Sequence, residues 1–237
     1  VLTFNGEIYN HLELGGDLKA VGSTFCSRSD SEVLLQGFAR YGEAVLHHLN
    51  GMFAFAIYDA ARRRLFCARD RFGEKPLLYV DGPGFFAFAS EYKALLSLAE
   101  VSHDVDTDRL LNFLYQPRIG LDNEQDTVFR QIKQLLPGEY LCVDLDSMGV
   151  TVARYWQPQT DPGLSCIGDQ EAVERFRSLF MDSVKIRMRS DVPIGSCLSG
   201  GLDSGSIVCL NRRVLGETVP YQVFTGRFPG TSADEWP

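Results

Sequence analysis

Val192-Pro193-Ile194-Gly195-Ser196-Cys197-Leu198-Ser199-Gly200-Gly201-Leu202-Asp203-Ser204-Gly205-Ser206 is the stretch on which the chain turns. Pro193 to Leu198 is short and mostly apolar, the pattern of a strand buried on both faces. Ser199-Gly200-Gly201 follows at once, and paired glycines let the backbone take positive φ and approach a ligand with no Cβ between them. Ser204 or Ser206 is placed to cap a helix running through Ile207, Val208 and Leu210. A strand, tight loop and helix in this order turn loop amides and the positive end of a helix dipole toward one point, which suits phosphate or pyrophosphate. Asp203 would repel a bare phosphate. It fits when a Mg²⁺ ion lies between the two.

Working outward from this loop, Asp169 to Met188 reads as the longest amphipathic helix, with Val173, Phe176, Phe180 and Val184 at helical spacing. After the loop come a helix to about Gly216 and a strand, Tyr221 to Thr225. That is a βαβ unit, the start of a parallel sheet. Gln157 to Gly168 carries Pro158, Pro162 and Gly163 without periodicity and reads as a linker.

The first half has a different grammar. Asn5-Gly6 between apolar residues is by itself a hairpin signal. Ser29-Asp30-Ser31-Glu32 has the form of a capping box ahead of a helix carrying Val33, Leu34, Phe38 and Tyr41 and ending at Gly42. A second short helix covers about Glu43 to Leu49. Gly51 to Asp59 alternates Phe53, Phe55 and Ile57 with Ala54, Ala56 and Tyr58, a strand packed on both faces. Leu65 to Arg69 returns beside it, across a solvated tip, Arg62-Arg63-Arg64. Further strands are expected at Leu77–Val80, Phe85–Ala89, around Leu141 and from Val150 to Trp156. Ser90 is expected to cap a helix through Leu98, and Asp106 to Leu114 forms another. Gly120 to Asp126 reads as a polar, mobile loop. Strands at this density, joined by hairpins and interrupted by helices, make an α+β domain of antiparallel sheets.

With 237 residues, 45% of them apolar, the chain can hold two ordinary domains with real cores. Its net charge of −8 argues against a nucleic-acid surface. No apolar run approaches the roughly 20 residues of a membrane span. Cys26, Cys67, Cys142, Cys166, Cys197 and Cys209 show no C-x-x-C spacing and mostly sit in apolar runs, so they read as buried small hydrophobes in a reducing, cytoplasmic setting. His11, His47, His48 and His103 do not flank them at zinc-ligand spacing. Val1 opens in what reads as mid-strand and Asp234-Glu235-Trp236-Pro237 closes no element, so the chain reads as a segment cut at both ends.

Ser199-Gly200-Gly201-Leu202-Asp203-Ser204 resembles the S-G-G-x-D-S loop of the PP-loop ATP pyrophosphatases, which cleave ATP between the α and β phosphates. Asn5-Gly6-Glu7-Ile8-Tyr9-Asn10, Ser29-Asp30-Ser31-Glu32, Arg69-Asp70-Arg71-Phe72-Gly73-Glu74-Lys75-Pro76-Leu77 and Ser90-Glu91-Tyr92-Lys93-Ala94-Leu95 resemble, in order, the class II glutamine amidotransferase domain of the asparagine synthetase B family. The resemblance implies residues 1–157 as an Ntn-hydrolase-like αββα sandwich, a linker at 158–168, and 169–237 as the start of an adenine nucleotide α-hydrolase-like parallel-sheet domain.

It further implies Asn5 and Gly6 as an oxyanion-hole pair, and these two with Glu7 and Asp30 as the glutamine site. Leu198, Ser199, Gly200, Gly201, Asp203 and Ser204 would hold ATP, Asp203 with Mg²⁺, and Thr225 would lie on the adenosine side. Glutamine, aspartate and ATP are the implied partners, with no nucleic acid and no membrane. A homodimer is one expected assembly. The activity implied is glutamine-dependent amidation of aspartate. Alternatives are an amide ligase of the same architecture acting on another carboxylic acid, in natural-product, polysaccharide or β-lactam synthesis, and a degenerate, non-catalytic module. Two departures stand out. The family's nucleophile is an N-terminal cysteine that none of the six cysteines matches, and its carboxylate-binding arginine is also expected upstream.

Overall fold

The computed structural model describes residues 1–116 and 124–231. The chain divides into two compact units, Val1–Gln159 and Thr160–Pro237.

In the first unit the elements run β1 (Leu2–Ile8), α1 (His11–Ala20), α2 (Asp30–Tyr41), α3 (Val45–His48), β2 (Gly51–Asp59), β3 (Arg64–Arg69), β4 (Leu78–Gly82), β5 (Phe85–Ala89), α4 (Tyr92–Leu96), α5 (Thr107–Tyr115), β6 (Lys133–Gln134), β7 (Glu139–Asp144) and β8 (Val150–Arg154). Two antiparallel sheets result, ordered β1-β2-β3-β7-β8 and β5-β4-β6.

The alternation in β2 explains the layering. Phe53, Phe55 and Ile57 join Phe66 and the buried Leu14, Leu18, Leu34 and Phe38 in one core, between the large sheet and α1–α3. Ala54 and Ala56 turn the other way and meet Cys67, Tyr79, Leu135 and Leu141 between the sheets. Small residues on that face let the second sheet come close. A third core of Leu78, Val80, Leu95, Val101 and Ile132 lies under α4. The order is therefore helices, sheet, sheet, helix: an α+β sandwich of antiparallel sheets.

The turn after β3 is held by two buried charged residues. Asp70 accepts from four backbone N–H groups: those of Phe53 (3.2 Å) and Lys75 (3.0 Å) at Oδ2, and of Phe72 and Glu74 (both 3.0 Å) at Oδ1. The Arg69 guanidinium donates to the carbonyls of Lys75, Leu135 and Gly73 at 2.8, 2.8 and 2.9 Å. Both side chains are at most 3% exposed. A buried carboxylate is tolerated when its lone pairs are filled in this way.

Several local expectations are corrected. Asn5-Gly6 is not a hairpin turn; both residues lie inside β1. Ser29 does cap α2, accepting from Ser31 N–H at 3.2 Å. The reciprocal half of the capping box is absent: Glu32 accepts instead from Cys26 and Ser27 N–H at 2.7 and 2.6 Å. These bonds to the carboxylate hold Glu32 below the ordinary value, the Cys26 bond foremost. Ser90 does not cap α4, whose N-cap is Glu91. Arg62 and Arg63 are exposed as expected, but Arg64 belongs to β3 and pairs with Glu43 at 2.8 Å. Helix α1 and the two-residue β6 were not anticipated. Of the six cysteines Cys67 is buried and Cys142 partly so, while Cys26, Cys166, Cys197 and Cys209 are exposed. Residues 120–123 of the expected mobile loop lie outside the described residues.

The second unit carries α6 (Asp169–Arg187), β9 (Gly195–Cys197), α7 (Leu202–Leu215) and β10 (Gln222–Phe224). β9 and β10 pair in parallel, Ser196 beside Val223, with α7 as the crossover. Asn211, buried on α7, donates to Ser196 Oγ (3.2 Å) and Tyr221 Oη (2.7 Å), tying the helix to both strand segments. The strand expected to be buried on both faces is not: Gly195 and Cys197 are exposed, because no further described strand or helix covers them. On α6 only Val184 is buried. No described helix is long and apolar enough to cross a membrane.

Candidate functional site

The β1–β2 register fixes where the backbone of β1 points. Phe53 donates its N–H to Asp70 Oδ2, and its carbonyl accepts from Asp70 N–H at 2.8 Å. Both groups of Phe53 are therefore turned toward β3. Gly6 stands opposite Phe53, so the two form a non-hydrogen-bonded pair and the Gly6 N–H faces away from β2. β1 borders the five-stranded sheet, so this is the sheet's edge. Two residues on, about 7 Å along the strand, the Ile8 N–H on the same side donates to Asp30 Oδ2 at 3.0 Å. The sequence thus sets an aspartate from the first turn of α2 beside the free amide of Gly6.

Side chains alternate in the same register. Leu2, Phe4 and Ile8 pack toward the helices. Asn5 lies across from Ala54, on the face turned to the second sheet, and its Nδ2 donates to Ser90 Oγ at 3.1 Å, 85 residues away. Glu7 shares that face and is exposed. Asn5, Gly6, Glu7 and Asp30 are therefore gathered at one edge, as a side-chain amide, a backbone N–H and two carboxylates. Gly6 admits no other residue: its φ is +145°, and a Cβ there would lie 2.0 Å from the Met52 carbonyl oxygen. Ser90 also lines a cavity of about 400 Å³ with Pro76, Leu78, Tyr92, Lys93 and Gln134.

Ser90 escaped the sequence reading as a site residue. The local pattern, a serine ahead of a short helix, is that of a cap, and nothing in the neighbouring residues points 85 positions back. Asp70 was read only as part of a turn, though it braces the strand behind Gly6.

The second group of expected residues lies in the other unit. Leu198 follows β9 and donates its N–H to Phe224 O at 2.8 Å; Thr225 follows β10 and is exposed. Both stand at the carboxyl ends of the parallel strands. Gly200 has φ +85°, so one glycine of the pair uses the left-handed region. Neither Ser204 nor Ser206 caps α7, whose N-cap is Gly201. Ser204 Oγ instead accepts from Ser199 N–H at 3.2 Å and lies 3.0 Å from Ser199 Oγ. Asp203 is exposed in the first turn of α7, where the helix dipole favours a carboxylate. An exposed carboxylate one residue from the Ser204 hydroxyl fits a phosphate-bound Mg²⁺, which takes one or two carboxylates and leaves its other positions to phosphate and water. No group of three metal-ligating side chains occurs among the described residues.

Comparison with known proteins bears on both units. The family model described as glutamine amidotransferase domain matches residues 1–156. The chain belongs to the glutamine amidotransferase domain family. A second model, asparagine synthase, matches residues 175–237 of this amidotransferase-domain protein. Asparagine synthetase [glutamine-hydrolyzing] 3 of Bacillus subtilis (strain 168) is 38% identical over 210 residues, 88% of this chain and 33% of its own. Asparagine synthetase [glutamine-hydrolyzing] 1 of the same organism is 38% identical over 210 residues, 87% of this chain and 32% of its own. The chain thus spans about a third of the length of these curated relatives. Among solved structures, glutamine phosphoribosylpyrophosphate amidotransferase from B. subtilis, complexed with ADP and GMP, aligns with 18% identity and a TM-score of 0.45 over 95% of this chain and 45% of that one.

Proposed function

We propose that this chain supplies the glutamine pocket and the pyrophosphate loop of a glutamine-dependent asparagine synthetase. The observation that carries the reading is the gathering of Asn5, Gly6, Glu7 and Asp30 at the edge of β1. Two adjacent N–H donors suit the oxygen that becomes negative when a nucleophile adds to the glutamine side-chain amide. Two carboxylates beside them suit the α-ammonium of the same glutamine. The attacking group would be the thiolate of the N-terminal cysteine that the family resemblance implies. A C–S bond forms as the C–N bond breaks, a proton passes to the departing ammonia, and water then releases glutamate from the thioester.

In the other unit, Ser199, Gly200, Gly201 and Ser204 would bind the β and γ phosphates of ATP, with Leu198 and Thr225 flanking the nucleotide. Asp203 would hold Mg²⁺, which supplies charge neutralisation on the phosphates. Aspartate's β-carboxylate would displace pyrophosphate from the α-phosphate, and ammonia would then displace AMP, giving asparagine. The two Bacillus subtilis relatives, both named asparagine synthetases, support the acceptor assignment.

The test uses the full-length protein with ATP, Mg²⁺, ammonium and aspartate. Asparagine formed one-for-one with AMP and pyrophosphate supports the reading. ATP bound with no asparagine formed overturns the aspartate assignment and directs the search to other carboxylic acids. Replacing ammonium by glutamine then tests the ammonia source.

A further inference from the structure

The geometry points to Ser90 as the residue that positions the Asn5 amide for the glutaminase step, an inference that rests on the oxyanion reading of Asn5. A primary amide has two N–H donors and one acceptor on a torsion that turns freely, and its oxygen and nitrogen ends are nearly equal in shape. Left alone, the Asn5 side chain could present either end to a ligand. The oxygen end would repel an oxyanion. In the structure Nδ2 donates to Ser90 Oγ at 3.1 Å, and no other protein partner for it occurs among the described residues. In this orientation one N–H is taken by the serine, which holds the plane of the amide, and the second N–H is left for substrate.

The bond is a long-range one. Asn5 belongs to β1 of the large sheet, while Ser90 follows β5 at the border of the small sheet. The serine is not recruited by its own helix, since α4 starts from Glu91 without side-chain capping. Its hydroxyl therefore has no structural duty in the cap that sequence alone would give it. The neighbours of both residues are fixed independently: Ala54, opposite Asn5, sits in the inter-sheet core, and Leu95 of α4 is buried in the outer one. Removing the hydroxyl leaves this framework in place and frees only the amide.

The experiment compares Ser90→Ala, Ser90→Thr, Asn5→Ala and the Ser90→Ala/Asn5→Ala double variant in the full-length enzyme. Steady-state glutamine hydrolysis is measured beside ammonia-dependent amide synthesis. Asn5→Ala is expected to lower kcat for glutamine hydrolysis by about 10²–10³-fold, as loss of one oxyanion donor does. Ser90→Ala is expected to lower the same kcat about five- to tenfold, the weight of one neutral hydrogen bond. The KM for glutamine should change little, because the donor acts on the transition state. Ser90→Thr, which keeps the hydroxyl, should restore most of the rate. The double variant should be no slower than Asn5→Ala alone, since both act through one amide. Ammonia-dependent synthesis should be unchanged throughout.

If Asn5→Ala is impaired while Ser90→Ala matches the parent, the positioning role is overturned and the oxyanion reading stands. If Asn5→Ala itself hydrolyses glutamine at the parental rate, the oxyanion reading fails and the inference with it. Equal loss of both activities in Ser90→Ala, unrelieved in Ser90→Thr, would make the serine a packing residue and overturn the inference.

Discussion

Replacing Asp70 by Asn tests the brace behind the candidate site. Oδ2 of the carboxylate serves Phe53 and Lys75, and Oδ1 serves Phe72 and Glu74, all at 3.0–3.2 Å. An amide keeps one oxygen and so can keep one of these pairs. Its NH₂ must then face the other two N–H groups, donor against donor, in a place 1% exposed where water cannot intervene. Hydrogen bonds to a charged group contribute about 1.5–3 kcal/mol each, so losing two costs about 3–6 kcal/mol. A domain of this size is stable by only about 5–15 kcal/mol. The assay is urea unfolding of the first unit followed by the fluorescence of Trp156, whose ring lies 5.1 Å from Phe72 in the braced turn, in a chain with Trp236 replaced by Phe. The midpoint should fall steeply at constant m-value. The surface change Asp146→Asn, which removes the charge of the exposed partner of Arg63, should leave the midpoint almost unmoved. A loss below about 1 kcal/mol in Asp70→Asn would refute the reasoning, because the four N–H groups would then be finding other partners.

Gly6→Ala puts a methyl 2.0 Å from the Met52 carbonyl oxygen at a φ of +145°. Since the obstacle is backbone, β1 and β2 must part, and a loss of about 3 kcal/mol or more is expected in the same urea assay; a stable variant would mean the strands slide apart freely. Asp203→Asn in the full-length enzyme should lower pyrophosphate release by at least about a hundredfold and leave the urea midpoint of the first unit unmoved, since Asp203 is exposed in the other unit; unchanged turnover would remove its metal role. Burial first, and then the Glu43 carboxylate, push the Cys142 thiol up to about 11. It should therefore carry about a hundredfold less thiolate than an ordinary cysteine at pH 8 and be alkylated well after exposed Cys166, as read by peptide mass mapping. Because the raised value belongs to the folded state, the stability it contributes is intact below about pH 9 and is lost as pH rises toward about 11.

The residues that form strands and helices by periodicity were legible in the chain. Phe53, Phe55 and Ile57 against Ala54 and Ala56 announced both β2 and its two unlike faces, and Ser29 with Gly42 bracketed α2. Helix α1 was hidden because Gly15 and Gly16 interrupt its pattern, although Leu14 and Leu18 are buried by tertiary packing. β6 is two residues long and has no period to read. The strand before the candidate nucleotide loop reads as buried from its composition, but burial is settled by packing partners and not by composition, and Gly195 and Cys197 are exposed. In the candidate site, Asn5, Gly6, Glu7 and Asp30 all came from the family resemblance; the residues alone gave Asn5-Gly6 as a hairpin turn. What remained invisible was the pairing across distance: Glu32 reaching back to Cys26, Asp70 to Phe53, and Asn5 to Ser90. Such contacts follow from register, and register is settled only when strands meet.

The Asn5–Ser90 bond has a mechanical meaning as well as a chemical one. Its two ends ride on different sheets, and the layer between them has no ladder, only apolar contact and side-chain bonds such as that of Arg69 to the Leu135 carbonyl. Drawing those layers apart by about 1 Å along the 3.1 Å bond would carry it beyond useful hydrogen-bonding range while every bond within each sheet stayed intact. The amide is thus a strain gauge built across the plane between the two sheets. Heat or pressure that loosens the inter-sheet core should register at this position before any element unfolds.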